Sequence, residues 1–288
     1  MSTQQKLSIE ELNAIPAHLI AEHERIKSAF INTYSKIHKV SEDEAQSIYD
    51  KEALYFKKLV LDNSKLQTST RISLYGSFLE LAIQGLSIQP GSKSEAFLEA
   101  RGVKAGDKYI DTAFLRITAY GELNLRIKSG QIVRMYNPQI IYQGDHFQPT
   151  TDQRGKLIVE YQPAIPRQSN VIVGGYVCIQ LPGGDLDFKW LLIDDIERLK
   201  KYATTKTQNG SYTNPLYSKE NGGIDPGFLE AKVIKHAMRA YTKLRVGENV
   251  MMDDEEQEQP IYDAEPVAET LPENPNGEPK KPADDIPF

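Results

Sequence analysis

The stretch VIVGGYVCIQLPGGDLDFKWLLIDDIERLKKYA, Val171–Ala203, decides the fold class. Its first part is dense in β-branched and apolar residues and breaks at Pro182, Gly183 and Gly184, which predicts a β-hairpin. The pattern then changes at once. Asp194 can cap a helix, with Glu197 three residues on, and Lys200 and Lys201 fall near the electronegative C-terminal end. Strand, turn, strand and helix in one short run require sheet and helix to share a domain. Trp190, among apolar neighbours, is expected in the core, and Cys178 in VCIQL reads as a buried, inert thiol.

Working back from the hairpin, YIDTAFLRITAY and KLIVEYQP read as further strands from Lys108 onward. Before them the texture is helical. A first helix is expected from Ile9, with apolar Leu19, Ile20, Ile26, Phe30, Ile31 and Tyr34 near a 3.6 period and Pro16 tolerated near its start. A second begins at Ser41 with Glu44 in the capping-box position, and a third, TRISLYGSFLELAIQ, stops at Gly85 before a turn at Pro90-Gly91. Working forward, the polar loop TTKTQNGSYTNPLYSKENGG leads to a last helix, GFLEAKVIKHAMRAYTKL.

The expected fold class is α+β: a helical N-terminal arm over residues 1–68, a core over 69–250 with a small central antiparallel sheet and packed helices, and a tail over 251–288. Charge supports that division. Twelve of the 40 acidic residues but only two of the 34 basic ones lie in Met251–Phe288, a net of −10 that leaves +4 for Met1–Val250. The tail is rich in Pro, Glu, Asp and Asn, so disorder is expected there. There is no apolar run long enough for a membrane span and no signal peptide, so a cytoplasmic location is expected.

Several chemistries are missing from the sequence. It has no GxxxxGK[ST] phosphate loop, no HExxH, no paired cysteines and no GxSxG elbow. His18, His23, His38, His146 and His236 are scattered without metal-ligand spacing, so neither a catalytic residue nor a metal site is expected. A nuclease acting on nucleic-acid ends would need metal-dependent cleavage, and nothing in the sequence recommends one.

Basic residues supply the positive signal. At about 100° per residue, Lys232, Lys235, Arg239 and Lys243 share one stripe of the last helix, and Val233, Ala237, Ala240 and Leu244 share a core face. Glu230 is the one acid near the start of that stripe. Further cations alternate with aromatics: Arg116, Tyr120, Arg126, Lys128, Arg134 and Tyr136, then Lys189, Trp190, Arg198, Lys201 and Lys206. Cations that track phosphates, interleaved with rings that stack bases, suit a sequence-neutral single-strand binder.

Four stretches in order carry a family resemblance: FLELAIQGLSIQPGS, ITAYGELNLRIKSGQIV, the Gly-Gly hairpin followed by DDIERLKK, and VIKHAMRAYTKL. From about Tyr75 to Leu244 the chain resembles the RecT family of phage single-strand annealing proteins. The resemblance implies an ATP-independent protein that binds single-stranded DNA and the annealed duplex intermediate and forms a homo-oligomeric ring or filament beside a partner exonuclease. It implies no cofactor, with Mg2+ as a modulator of annealing only. It also settles GELNLRIKSG, which alternates like a strand, as a helix closed at Gly130. The positions carried over are Tyr120, Gly121, Lys128, Gly130, Gln131, Lys235 and Arg239.

Departures from the family are visible. EAFLEARGVKAGDKYID is longer and more charged than the family's apolar strand, and Ala240 stands where a second Arg is expected. Asn214-Pro215-Leu216-Tyr217 replaces a Trp-bearing loop, so stacking would pass to Tyr212 or Tyr217. The alternative function is a single-strand binding protein that protects without annealing. Asp284, Asp285, Ile286, Pro287 and Phe288 resemble the acidic tip of bacterial single-strand binding proteins, whose Phe ring and terminal carboxylate dock on partners. That tip is expected either to recruit host proteins that read such tips or to compete with DNA for the basic body.

Overall fold

The computed structural model describes residues 7–153, 155–207, 210–219, 223–242, 247 and 249–252. The tail from residue 253 on, with its DDIPF tip, and Lys243 lie outside them.

Helix α1, Ile9–Ala14, is capped at both ends of its first turn. The Ser8 hydroxyl accepts from the Glu11 amide, and the Glu11 carboxylate accepts from the Ser8 amide. It ends at Ile15 because Pro16 drives the preceding residue out of the helical region. The single helix expected from Ile9 is therefore interrupted. A 3-10 turn covers Ala17–Leu19, and α2, Glu24–His38, starts afresh with the His23 ring nitrogen accepting from the Arg25 amide.

Helix α3, Glu42–Asp62, has the expected Ser41 cap, whose hydroxyl accepts from the Glu44 amide. After the short α4, Ser64–Thr68, α5 spans Arg71–Gln84 and stops at Gly85, where φ of +63° suits a residue without Cβ. Strands β1, Ala96–Ala105, and β2, Lys108–Ile117, form an antiparallel hairpin against these helices. The first core centres on Phe30, Phe56 and Phe78, with Phe78 ring centroids 4.9 Å from Phe30 and 5.0 Å from Phe56. Burial raises the pKa of Glu52 here, opposed by hydrogen bonds from the Ser87 hydroxyl at 2.6 Å and the Ile88 amide at 2.9 Å. These bonds tie α3 to the chain leaving α5.

The second core begins with α6, Ala119–Lys128, so the helical reading of GELNLRIKSG holds and Gly130 follows with φ of +73°. Strands β3, Arg134–Met135, and β4, Gln139–Tyr142, both run antiparallel to a later strand on the same edge, separated by Asn137-Pro138, where proline offers no N–H. Strands β5, His146–Thr151, and β6, Leu157–Gln162, pair as a separate hairpin. Strand β7, Ile172–Gln180, receives β3 and β4 and pairs on its other side with β8, Leu186–Leu192, through the expected glycine turn, with φ of +99° at Gly183 and +90° at Gly184.

Helix α7, Ile193–Tyr202, follows directly, but its N-terminal carboxylate is Asp195, which accepts from the Leu192 amide at 3.3 Å, rather than Asp194. Strand runs into helix without a spare residue, which shifts the cap by one position. The segment expected to be a polar loop contains a hairpin of β9, Thr204–Thr207, and β10, Gly210–Thr213, then a 3-10 turn at Pro215–Ser218. Helix α8, Pro226–Met238, packs on β4, β7, β8 and α6. Its buried face uses Leu229, Val233, Ile234, Ala237 and Met238 against Val177, Ile179 and Leu191.

The chain then returns to the first core. Strand β11, Val250–Met252, lies parallel to β2, so the sheet order is β1-β2-β11. The sheet pairing runs to Met252, past the boundary expected at 250, and this sheet is mixed rather than purely antiparallel. The class expected from the sequence, α+β, is the one observed.

Candidate nucleic-acid interface

A cleft of about 220 Å³ opens where three segments meet. The turn after Pro90 brings Ser92 and Ser94, the start of α6 brings Thr118, Ala119 and Tyr120, and α8 brings Phe228, Ala231, Lys232 and Lys235. The local sequence explains the construction. Thr118 caps α6 by accepting from the Gly121 amide, and its hydroxyl donates to the carbonyl oxygen of Ser94 at 2.6 Å, which fastens the helix start to the serine turn. Gly121 is needed for this close approach, since a Cβ there would lie 2.0 Å from the Glu95 carbonyl oxygen.

The electrostatics of the cleft favour an anion. The positive end of the α6 dipole faces it. Lys232 and Lys235 are 8% and 9% exposed, an unusual depth for ammonium groups. The Lys232 ammonium sits 4.4 Å from the Phe228 ring centroid and 5.8 Å from that of Tyr217, so aromatic faces stabilise part of its charge. At the rim the Lys93 ammonium lies 5.9 Å over the Tyr120 ring. Burial raises the Tyr120 pKa, with Glu230 adding to it, so the phenol stays protonated and able to donate.

Of the cations expected at the interface, the structure brings Lys232 and Lys235 to this cleft, together with Tyr120. Arg116 and Arg126 lie outside the cleft lining, 6% and 2% exposed and held by the fold itself. Arg116 donates to Glu99 at 2.7 Å and to the Met252 carbonyl at 3.2 Å, stapling the β1-β2-β11 sheet. Arg126 pairs with Glu122 one turn back and donates to the Thr242 carbonyl at 3.0 Å, tying α6 to the segment after α8. Lys128 donates to the Gly85 carbonyl and so completes the end of α5.

The remaining cations are spread over the surface. Arg134 is exposed on β3, with its guanidinium 4.6 Å from the Tyr136 ring centroid and bonded to the Tyr136 hydroxyl at 2.6 Å. Arg198 is exposed and paired with Asp195 at 3.0 Å, Lys201 lies exposed in the last turn of α7, and Lys206 is in β9. Arg239 is the residue at which α8 ends, so the basic stripe does not continue as one helix face, and Ala240, expected in the core, is exposed.

The expected stacking residues also divide. Tyr217 is 2% exposed and packs edge-on to Phe228, whereas Tyr212 is 60% exposed on β10. Trp190 is half-buried in an aromatic group with Phe147, which in turn touches Tyr176, outside the main core. Cys178 is partly buried, and burial raises its pKa as expected of an inert thiol. Among the described residues no group of three His, Cys, Asp or Glu side chains is placed to hold a metal ion, and no helix is long and apolar enough to cross a membrane.

The sequence reading missed Ser92, Lys93, Ser94 and Phe228. The signal available was the Pro-Gly-Ser-Lys-Ser run, small and polar directly after a turn. The family model described as RecT family matches residues 52–268, more than half of the chain. The chain belongs to the RecT family. Its members are single-strand annealing proteins of recombination. No curated protein matches the chain in sequence. The RecT match begins within α3 and continues beyond β11, so it spans every segment that builds the cleft.

Proposed function

We propose that this RecT-family protein binds single-stranded DNA with backbone phosphates at the Lys232–Lys235 cleft, and that it anneals complementary strands as a homo-oligomer without ATP. The observation that carries the reading is the pair of deeply set lysines beside the start of α6. A phosphate is the ligand such a site suits: small, anionic, and able to accept from ammonium, serine hydroxyl and helix-start amides together. A cleft this narrow takes the backbone rather than a duplex, which leaves base edges available to a second strand. Annealing then requires no bond to break and no catalytic residue. Copies arranged side by side as a ring or filament would hold a strand extended while its complement is tested.

The test uses the full chain with a labelled oligonucleotide at several salt concentrations. Lys232→Ala with Lys235→Ala is expected to weaken binding, and to reduce the slope of log affinity against log salt by about 0.7 for each phosphate that is no longer neutralised. An unchanged slope overturns the assignment. Mixing complementary oligonucleotides with the protein in the absence of ATP is expected to accelerate duplex formation. Inhibition would instead favour a strand-protecting protein. Electron microscopy of the same mixture reads the assembly.

A further inference from the structure

Helix α8 has a second cleft on its other flank. It encloses about 540 Å³, and its lining includes Gln139, Tyr142, Asp145, Tyr161, Arg167 and Glu230. Its frame is built by one carboxylate. Asp145 accepts from the amide of Tyr142 at 2.9 Å, from the amide of Ala164 at 2.9 Å and from the Tyr161 hydroxyl at 3.1 Å. Burial opposes the charge on Asp145, but those three donors outweigh it and hold its pKa below the usual carboxylate range. The end of β4, the end of β6 and the loop after it are thereby locked around the opening, so the shape is formed before any ligand arrives.

The groups left to meet a ligand are of a particular kind. The Arg167 guanidinium lies 3.7 Å from the Tyr142 ring centroid, a stack that makes one wall flat and cationic. Glu230 lines the same space and makes no ion pair among the described residues, and Gln139 adds an amide. With Asp145 and Glu230 against one Arg167, this cleft is not a phosphate site, unlike the lysine cleft on the opposite flank. A planar ligand with a face for the guanidinium and hydrogen-bond donors for a carboxylate is what it suits. The volume is within the range that buries a small planar molecule.

We propose that this cleft receives one nucleobase of the bound strand, splayed out of its stack, and that guanine is preferred. The inference rests on the reading that α8 holds the strand's phosphates. Guanine carries amino and imino hydrogens for Glu230 and an O6 acceptor for the Gln139 amide, while its face stacks on the guanidinium–tyrosine wall. Thymine offers a single N–H and stacks more weakly. Both clefts draw on the first turns of α8, Glu230 in one and Phe228, Ala231 and Lys232 in the other, so one strand can reach both. One base held per subunit would fix the register of the strand in an oligomer while the remaining bases stay exposed for pairing.

The experiment compares oligothymidylate with the same strand carrying one central deoxyguanosine, using the full-length protein and fluorescence anisotropy. The guanosine strand is expected to bind about tenfold more tightly, which corresponds to about 1.4 kcal/mol. Glu230→Gln is expected to remove the difference between the two strands, with oligothymidylate affinity unchanged or raised, since the carboxylate also bears on Tyr120 in the lysine cleft. Arg167→Ala is expected to lower affinity for both strands and to shrink the difference. Equal wild-type affinity for the two strands, or a guanosine preference that survives Glu230→Gln, overturns the base site. In that case an intact salt slope still supports the phosphate reading. Failure of the wild type to bind either strand overturns both.

Discussion

Apart from the two stapling arginines, the deeply buried charged residues of the first core are carboxyls, Glu52 on α3 and Glu80 on α5, whereas those of the second are the lysines 232 and 235 on α8. Burial raises the pKa of both carboxyls, which brings their neutral form nearer to reach, and Glu52 also has hydrogen-bond donors from its own fold. The first core therefore keeps its polar groups for internal cohesion. The second sets lysines at an opening, where an anion can reach them.

That contrast can be broken by mutation. The largest expected effect is on the first core: Phe78→Ala removes the ring shared by Phe30 and Phe56, and should cost about 3–5 kcal/mol in urea unfolding. The folded fraction should bind DNA with the wild-type salt slope. A flattened slope would mean that the cores are not divided in role. Next comes Arg126→Ala, which removes the guanidinium beside the largely buried Glu122 and should cost about 3 kcal/mol. Weakened DNA binding at unchanged stability would return Arg126 to the interface.

A smaller effect is expected at the cleft. Lys235→Met keeps the length of the side chain and removes its charge, so it should weaken DNA binding and change stability by about 1 kcal/mol or less. Destabilisation together with normal binding would make Lys235 a structural residue. The smallest expected effect is on pH dependence. Burial lowers the pKa of His236, with Asp195 opposing this and Arg239, Arg198 and Lys189 reinforcing it. The unfolded chain then takes up the proton first on acidification, so stability present above about pH 6.5 should fall as pH drops below it. His236→Gln should remove that slope from thermal melts between neutral and mildly acidic pH, and an unaltered slope would assign it to other groups.

Local chemistry was legible in the sequence wherever a single residue type forces one conformation. Gly85, Gly130, the Pro182–Gly184 turn and the Ser41 cap all stand where they were read. Elements that depend on distant partners were not legible. Strand β1 alternates charged and apolar residues weakly because much of its hairpin faces solvent, and β11 is too short to be a strand without β2 beside it. The end of α8 was read at Leu244 from helical spacing alone. It stops at Met238, and the chain beyond it turns to bring the Thr242 carbonyl to Arg126.

The candidate site divides in the same way. Spacing on one helix put Lys232 and Lys235 on a common face, and the resemblance picked out Tyr120 and Gly121. Spacing could not reveal that the serine turn and α6 cover that face. Nor could it show that Arg116 already has a carboxylate, although Glu122, four positions before Arg126 on one helix, was there to be read. Glu99 is seventeen positions from Arg116, and helical periodicity says nothing about a neighbour on another strand.

The parallel pairing of β11 with β2 also bears on synthesis. Arg116 donates to a carbonyl 136 positions later, so the sheet of the first core gains its third strand only after Met252 has left the ribosome. Until then the nascent chain exposes one unpaired margin of β2, a template for mispairing with neighbouring chains at high expression. A version ending before Val250 would keep that margin open permanently, and its yield of soluble product reports how much the last strand protects the first half of the molecule.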